Sequence, residues 1–389
     1  MTRTPFICCN QVYFGNGAVS DLGTVVQRFG AGRVLVVTDR GVRNAGILGE
    51  PLSALQRSGI GYAVFDDIKP EPNEETVDAL VASVRDEKID AVVGIGGGSV
   101  LDCAKVAAIL LSHGGRLRDY IGQGKVAGYC LPLILVPTTS GTGSESTPNA
   151  LFIVDGEKQA VISPYLVPKV AVIDPVVTAT APPHVTAAAG VDALVHACES
   201  FTSLRSTSLT EMYSLRAAEL IARSIRTAVW QGIDMAARED MALGSYLAGI
   251  AIANAGTGAV HALAYPLGSK YGLSHGISNS VMFLYVSEAN IPAAIQKFAI
   301  LARALGAKTT DMSRREAAYA YVDEIMSIIR DVGLPLSLAE FGVEPSDIHE
   351  LVTDAMKQTR LLNNNPRVLA QEDIEKIYRH ALSGEGCRH

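Results

Sequence analysis

A chain of 389 residues is long enough for one very large domain or two of medium size. It is 48% hydrophobic, ample for sizeable cores, while a net charge of -7 leaves no Lys/Arg excess for phosphate, which excludes nucleic acid as the expected partner. No apolar run reaches the roughly 18 residues of a membrane helix, no charged-then-apolar leader opens the chain, and the spacing of Cys8, Cys9, Cys103, Cys130, Cys198 and Cys387 fits neither a zinc knuckle nor a disulfide scaffold, so free thiols in the cytoplasm are expected.

In chain order, VLVVTD (34–39) reads as a strand, 46–58 as a helix, YAVFDD (62–67) as a strand and 74–87 as a helix. AVVGIGGG (91–98) is a strand running into glycines, followed by a helix over 99–112. LPLILVPTT (131–139) and VAVIDP (170–175) are further strands. Near-continuous Val/Ile/Leu runs separated by helices predict a parallel sheet covered on both faces. After Pro182 and Pro183 the texture changes to Ala, Leu, Ile, Met and Ser. Helices are predicted over 184–203, 208–229, 236–254, 290–305, 313–332, 345–359 and 371–383. The expected fold class is α/β plus all-α: a Rossmann-like α/β domain over 1–181, then a helical domain over 182–389. The two are expected to pack closely, with a ligand in the cleft between them.

Two glycine-rich turns follow strands. In GIGGGSVLDCAK (94–105), Gly96, Gly97 and Gly98 let the backbone approach a pyrophosphate, and a helix expected to begin at Ser99, with Ser99 as its cap, offers free N–H groups. In PTTSGTGSE (137–145), small donors crowd the carboxyl end of a buried strand, where open α/β sheets bind ligands. The first turn alone reads equally as an ordinary strand-to-helix connection, and the second can be read as a capped helix start; two in one sheet favour phosphate. Asp39, closing the strand VLVVTD, would accept from a ribose diol and repel a 2'-phosphate, which points to NAD over NADP. The competing reading is a helix or turn cap, and Arg40 and Arg43 close by weaken the cofactor reading.

The strongest constellation lies in the second half. Asp192 and His196, in GVDALVHACES, stand at i and i+4 on one helix face, so both can meet one ion. His261 (AGTGAVHALAYPLG) and His275 (YGLSHGISNS) complete a set of three imidazoles and one carboxylate, suited to Fe(II), Zn(II) or a neighbouring divalent ion. His113, His184, His349, His380 and His389 have no such company and are expected to be structural or superficial. A divalent ion is a Lewis acid toward an alcohol or carbonyl oxygen, and a nicotinamide beside the carbinol carbon takes or gives the hydride.

These segments resemble the iron-containing, or group III, alcohol dehydrogenase family over nearly the whole chain. GGGSVLDCAK (96–105) is similar to its GGGSxxDxxK segment and PTTSGTGSE (137–145) to its PTTxGTGSE segment. VDALVHACES (191–200) and VHALAYPLGSKYGLSHG (260–276) resemble its two metal segments, and PEPNEETVDAL (70–80) and LLNNNPR (361–367) further signatures. The pattern is most similar to the lactaldehyde/propanediol reductase branch. The resemblance implies a dehydroquinate synthase-like pair of domains and an NAD-dependent alcohol dehydrogenase or aldehyde reductase. Its metal, usually Fe(II) and sometimes Zn(II), would be held by Asp192, His196, His261 and His275. It implies NAD lined by Gly96, Gly97, Gly98, Ser99, Asp102, Thr138, Thr139 and Thr142, with Lys158 nearby, and a homodimer.

Tyr265 stands where many relatives carry a second histidine, near the nicotinamide, four residues after the His261 equivalent. An unperturbed phenol titrates near 10, so Tyr265 is a poorer proton shuttle; it either relays a proton beside His261 or only packs and orients substrate. Ile252 replaces a phenylalanine of many relatives and reshapes the expected substrate pocket, which Asn149, Tyr265 and Leu361 also line. Asn149 matches an Asn of that branch and suits a second substrate hydroxyl; Arg360 is expected at the surface. A small, polar primary alcohol or aldehyde is therefore expected. Glycerol dehydrogenases and maleylacetate reductases are the nearer alternatives. A dehydroquinate synthase-type enzyme would need a Lys/Arg-rich pocket that the metal segments lack. A binding protein that has lost the chemistry would not need all four ligands.

Overall fold

The central strands of the first half form because their Val, Ile and Leu residues face hydrophobic layers on both sides of the sheet. The computed structural model describes residues 5–384; Cys387 and His389 lie outside them. Nine strands occur among the described residues: β1 (Gln11–Phe14), β2 (Arg33–Val37), β3 (Gly61–Phe65), β4 (Ala91–Gly96), β5 (Gly122–Gln123), β6 (Leu133–Pro137), β7 (Asn149–Val154), β8 (Glu157–Ile162) and β9 (Val170–Ile173). Six make one parallel sheet in the order β1-β9-β6-β4-β2-β3. In β2, Leu35 and Val37 pack into one layer with Leu101 and Val106, while Val34 and Val36 pack into the other with Leu22, Val25 and Leu55. Every residue of β4 and β6 is buried, as strands covered on both faces must be.

The chain reverses direction across the sheet between β3, at one edge, and β4, on the far side of β2. The carboxyl ends of β2, β4 and β6 are therefore neighbours, and this is the edge at which open α/β sheets hold ligands. A smaller sheet, β5-β8-β7, was not anticipated from the strand pattern. Its hairpin turns at Asp155 and Gly156, both with positive φ, and an Asp-Gly pair is a strong sequence signal for such a turn. The chain divides into two compact units, Met1–Ala181 and Pro182–His389.

The second unit is built of helices, chiefly Pro183–Thr202, Ser208–Trp230, Met235–Ala255, Ala259–Tyr271, His275–Ala304, Arg314–Asp331, Ile348–Met356 and Gln371–Ser383. Their apolar faces share one core, which includes Leu194, Ile221, Leu263, Phe283 and Ile325. The helix predicted over 290–305 is only the second part of His275–Ala304, which contains Pro292 and leaves helical geometry at Ala294 (φ -141°, ψ 37°). A proline inside a helix removes a backbone hydrogen bond, which accounts for the kink that divides this helix near Pro292. Among the described residues, no single helix is long and apolar enough to cross a membrane.

Candidate active site

At the carboxyl edge of the parallel sheet, the helix after β4 begins at Gly98, one residue earlier than expected, and its N-cap is Gly97. Ser99 is thus not the cap: it falls inside the first turn, and no side chain caps that end. The two glycine-rich turns lie against each other. A Cβ on Gly98 would come within 2.6 Å of Thr142 and one on Gly97 within 3.4 Å of Thr139. Gly96 has a different reason to be glycine, since a Cβ there would meet Val100 at 2.6 Å. The backbone N–H of Thr138 donates to Gly96 O at 3.0 Å, tying the second turn to the first.

Asp102 lies on the helix that starts this turn, but both its carboxylate oxygens are engaged by the protein. Ser144 Oγ donates to Oδ1 at 2.6 Å and the Leu151 N–H to Oδ2 at 2.9 Å. Burial pushes its pKa upward, against the pull of Lys105 and these two donors. Lys105, fully buried one turn further along, donates to Thr147 O (3.0 Å), Thr147 Oγ1 (3.1 Å) and Asn149 O (2.7 Å). Burial lowers the Lys105 ammonium to about 8, against attraction from Asp102 and Glu145. Burial raises the Glu145 carboxyl to about 7. This buried cluster holds the segment from Ser144 to Leu151, and Asn149 through its backbone carbonyl.

Asp39 is the N-cap of a short helix, Arg40–Asn44, accepting from the Val42 N–H at 2.9 Å. Arg40 and Arg43 are tied to the acids that follow β3, Arg40 to Asp67 at 2.9 Å and Arg43 to Asp66. Lys158, on β8, pairs with Glu71 at 2.9 Å.

In the helical unit, the four predicted metal-site residues converge from three helices. Asp192 and His196 come from Pro183–Thr202, His261 from the first turn of Ala259–Tyr271, and His275 opens His275–Ala304. One ligand atom from each lies within 4.8 Å of all the others. Asp192 Oδ1 is 3.8 Å from His196 Nε2 and 3.7 Å from His275 Nε2, the scale of ligand-to-ligand spacing around one ion. The His196 and His261 rings stack at 4.8 Å and those of His261 and His275 lie 5.2 Å apart. Asp192, His196 and His261 are buried, whereas the His275 side chain is 19% exposed, so the cluster opens at His275. The Tyr265 ring lies at that opening, 5.9 Å from the His275 ring. Burial would raise the Asp192 carboxyl, but the three imidazoles and Asn279 outweigh it and hold it at about 2.

Two polar residues that the sequence reading missed complete the cluster. Asn279, one turn beyond His275, aims its amide nitrogen among the ligands: 2.6 Å from Asp192 Oδ1 and 3.2 Å from both His261 Nε2 and His275 Nε2. Its own Oδ1 is buried without a partner. A lone amide dipole set among four cation-seeking donors, at the cost of an unsatisfied oxygen, is what a site shaped for a cation leaves behind. Three imidazoles with a carboxylate are the right donors for a borderline divalent metal. Glu199 is the second: it lies three residues after His196 on the same helix, with Oε2 2.6 Å from His261 Nδ1 and Oε1 accepting the Val260 N–H at 2.7 Å. The signal for both was helical spacing, i+3 from His196 and i+4 from His275.

Of the residues assigned to the substrate pocket, Ile252 is half-buried in the last turn of Met235–Ala255. Leu361 is 1% exposed and packs in the hydrophobic core, so it does not line an open surface. Arg360 beside it is exposed, as expected.

Residues 9–175 match the family model described as iron-containing alcohol dehydrogenase, and residues 186–382 that of the Fe-containing alcohol dehydrogenase family, C-terminal. The chain is 42% identical to "Long-chain-alcohol dehydrogenase 1" of Geobacillus thermodenitrificans, over 96% of this chain and 95% of that one. It is 35% identical to "NAD-dependent methanol dehydrogenase" of Bacillus methanolicus, over 95% and 97%. The crystal structure of a 1,3-propanediol oxidoreductase superposes with a TM-score of 0.95 at 35% identity, covering 98% of this chain and 100% of that one. With both halves matched and Asp192, His196, His261 and His275 clustered in the second, the chain belongs to the iron-containing alcohol dehydrogenase family of oxidoreductases.

Proposed function

We propose that this protein is an NAD(H)-linked alcohol dehydrogenase and aldehyde reductase with Asp192, His196, His261 and His275 holding a divalent metal, Fe(II) first and Zn(II) second. The observation that carries it is the buried four-residue cluster, with the Asn279 amide directed into it. When bound, the metal supplies a Lewis acid for the substrate oxygen, and NAD supplies the hydride acceptor. The chain's own residues do the rest. Asp192 supplies the cluster's carboxylate, buried among the three imidazoles. The burial of Asp192, His196 and His261 excludes water from three sides, leaving the His275 side for substrate. Tyr265 lies beside that opening, and its Oη offers substrate a hydrogen-bond donor or acceptor. Gly96, Gly97, Gly98, Ser99, Thr138, Thr139 and Thr142 form the dinucleotide cradle, with the uncapped helix start at Gly98 facing phosphate. Asp39 reads the ribose, and Arg40 and Arg43 beside it are paired with Asp67 and Asp66.

The substrate we propose is a small primary alcohol or aldehyde, polar or diol-like, supported by Asn149 and by the 1,3-propanediol oxidoreductase relative. A long aliphatic alcohol is the second reading, favoured by the aliphatic Ile252 and by the Geobacillus relative's name. A cytoplasmic setting is supported by the five cysteines among the described residues, all free; a homodimer is proposed on resemblance alone. The test is NADH-dependent reduction by chelator-stripped protein with Fe(II) or Zn(II) restored, over aldehydes from lactaldehyde to long aliphatic chains, alongside His261→Ala. Activity should return with metal and be lost in the variant. Equal activity in His261→Ala would remove the metal role, and turnover confined to long chains would replace the small-substrate reading.

A further inference from the structure

Glu199 spends both oxygens at the edge of the metal cluster, and neither contact is to a ligand atom that faces the ion. Oε2 lies 2.6 Å from His261 Nδ1, with side-chain exposures of 8% and 3%. Oε1 accepts the Val260 N–H at 2.7 Å, at the start of the helix that carries His261. A carboxylate only accepts, so Nδ1 of His261 must carry a proton, and in the neutral ring Nε2 then presents its lone pair. The opposite side of the ring agrees. His261 Nε2 faces the Asn279 amide nitrogen at 3.2 Å, and that nitrogen is assigned as a donor by its 2.6 Å contact with the Asp192 carboxylate. Space for Glu199 is built in: a Cβ on Gly258 would stand 3.2 Å from Oε1, tighter than ordinary contact.

We infer that Glu199 is a positioning residue for the metal, setting the tautomer and tilt of His261 and supplying the second negative charge for a buried divalent ion. Asp192 alone would leave one positive charge uncompensated in a site where Asp192, His196 and His261 are all buried, and an unpaired buried charge is costly. The helix Pro183–Thr202 therefore provides two ligands of its own and, at the i+7 position from Asp192, the carboxylate that orients a third ligand on another helix. A carboxylate behind a ligating imidazole also raises the basicity of the ring, and losing such a partner costs about 10–100-fold in metal affinity.

The inference rests on the metal reading proposed above, and one experiment separates the two. Full-length protein is stripped and titrated with Co(II) and Zn(II) against a chromophoric chelator, and the Co(II) visible spectrum and the melting temperature of the metal-free protein are recorded. Glu199→Gln should lower affinity for both metals by about 10–100-fold and shift the Co(II) bands, with the metal-free melting point little changed. Glu199→Asp, which keeps the charge but shortens the reach, should fall between the two; it takes over the test should Glu199→Gln fail to fold. Affinity within twofold of wild type with an unchanged Co(II) spectrum overturns the inference, as does a drop confined to the metal-free melting point, which would make Glu199 only a cap for the His261 helix. Wild-type protein that takes up neither metal would instead overturn the metal reading itself.

Discussion

Asp39 shows how one carboxylate serves structure while being available for recognition. Its Oδ1 caps the helix Arg40–Asn44, and the cap alone accounts for an acid at the end of a strand. Asp39→Gly therefore makes a clean test, because Gly is nearly as good a cap and should cost only a few tenths of a kcal/mol. If Asp39 also reads the ribose, the ratio of kcat/KM with NAD to that with NADP should fall about tenfold in the variant, the effect of removing roughly 1–2 kcal/mol of charge repulsion. Steady-state kinetics with both cofactors decide it; an unchanged ratio would leave Asp39 as a cap. Leu361 marks the limit of reasoning at this scale. Its motif suggested a pocket wall, but its side chain is consumed by the core, and a motif does not say which of its residues turn inward.

At the scale of the element, the helix Gly98–His113 also organises the second glycine-rich segment. Asp102 and Lys105, three residues apart and so on one face, reach into the segment from Ser144 to Leu151 and hold it at both ends. Lys105→Met would leave Thr147 and Asn149 acceptors and two buried carboxyls without their cation. A loss of about 3–5 kcal/mol is expected, visible as a lower urea midpoint at unchanged slope. A loss below about 1 kcal/mol would show that the segment is held by other contacts. The sequence carried the glycines of this element but not their reasons. Gly96 is required by Val100 and Gly98 by Thr142, a local and a distant neighbour, and only the distant one ties the two turns together.

Across the whole molecule, Asp192, His196, His261 and His275 come from three helices of one unit, and among the described residues no member of that cluster comes from the other. A metal at 100 times its dissociation constant adds about 2.7 kcal/mol to the state that binds it. Stripping the protein should therefore lower the stability of the helical unit most, with restored metal reversing the change. Calorimetry with hydrogen exchange on each half would check this, and equal loss in both halves would contradict it. Local periodicity was enough to read the parallel sheet, the helical second half, the two glycine turns and the Asp192–His196 pair, because each depends on residues a few positions apart. The motifs of the resemblance, not periodicity, brought His261 and His275 to that pair; the tertiary structure alone decided that Glu199 reaches His261 across 62 residues and Asn279 reaches Asp192 across 87, and that Lys105 is buried beside Asp102. Those contacts are set by how helices pack rather than by how each one forms, and a sequence period records only the second.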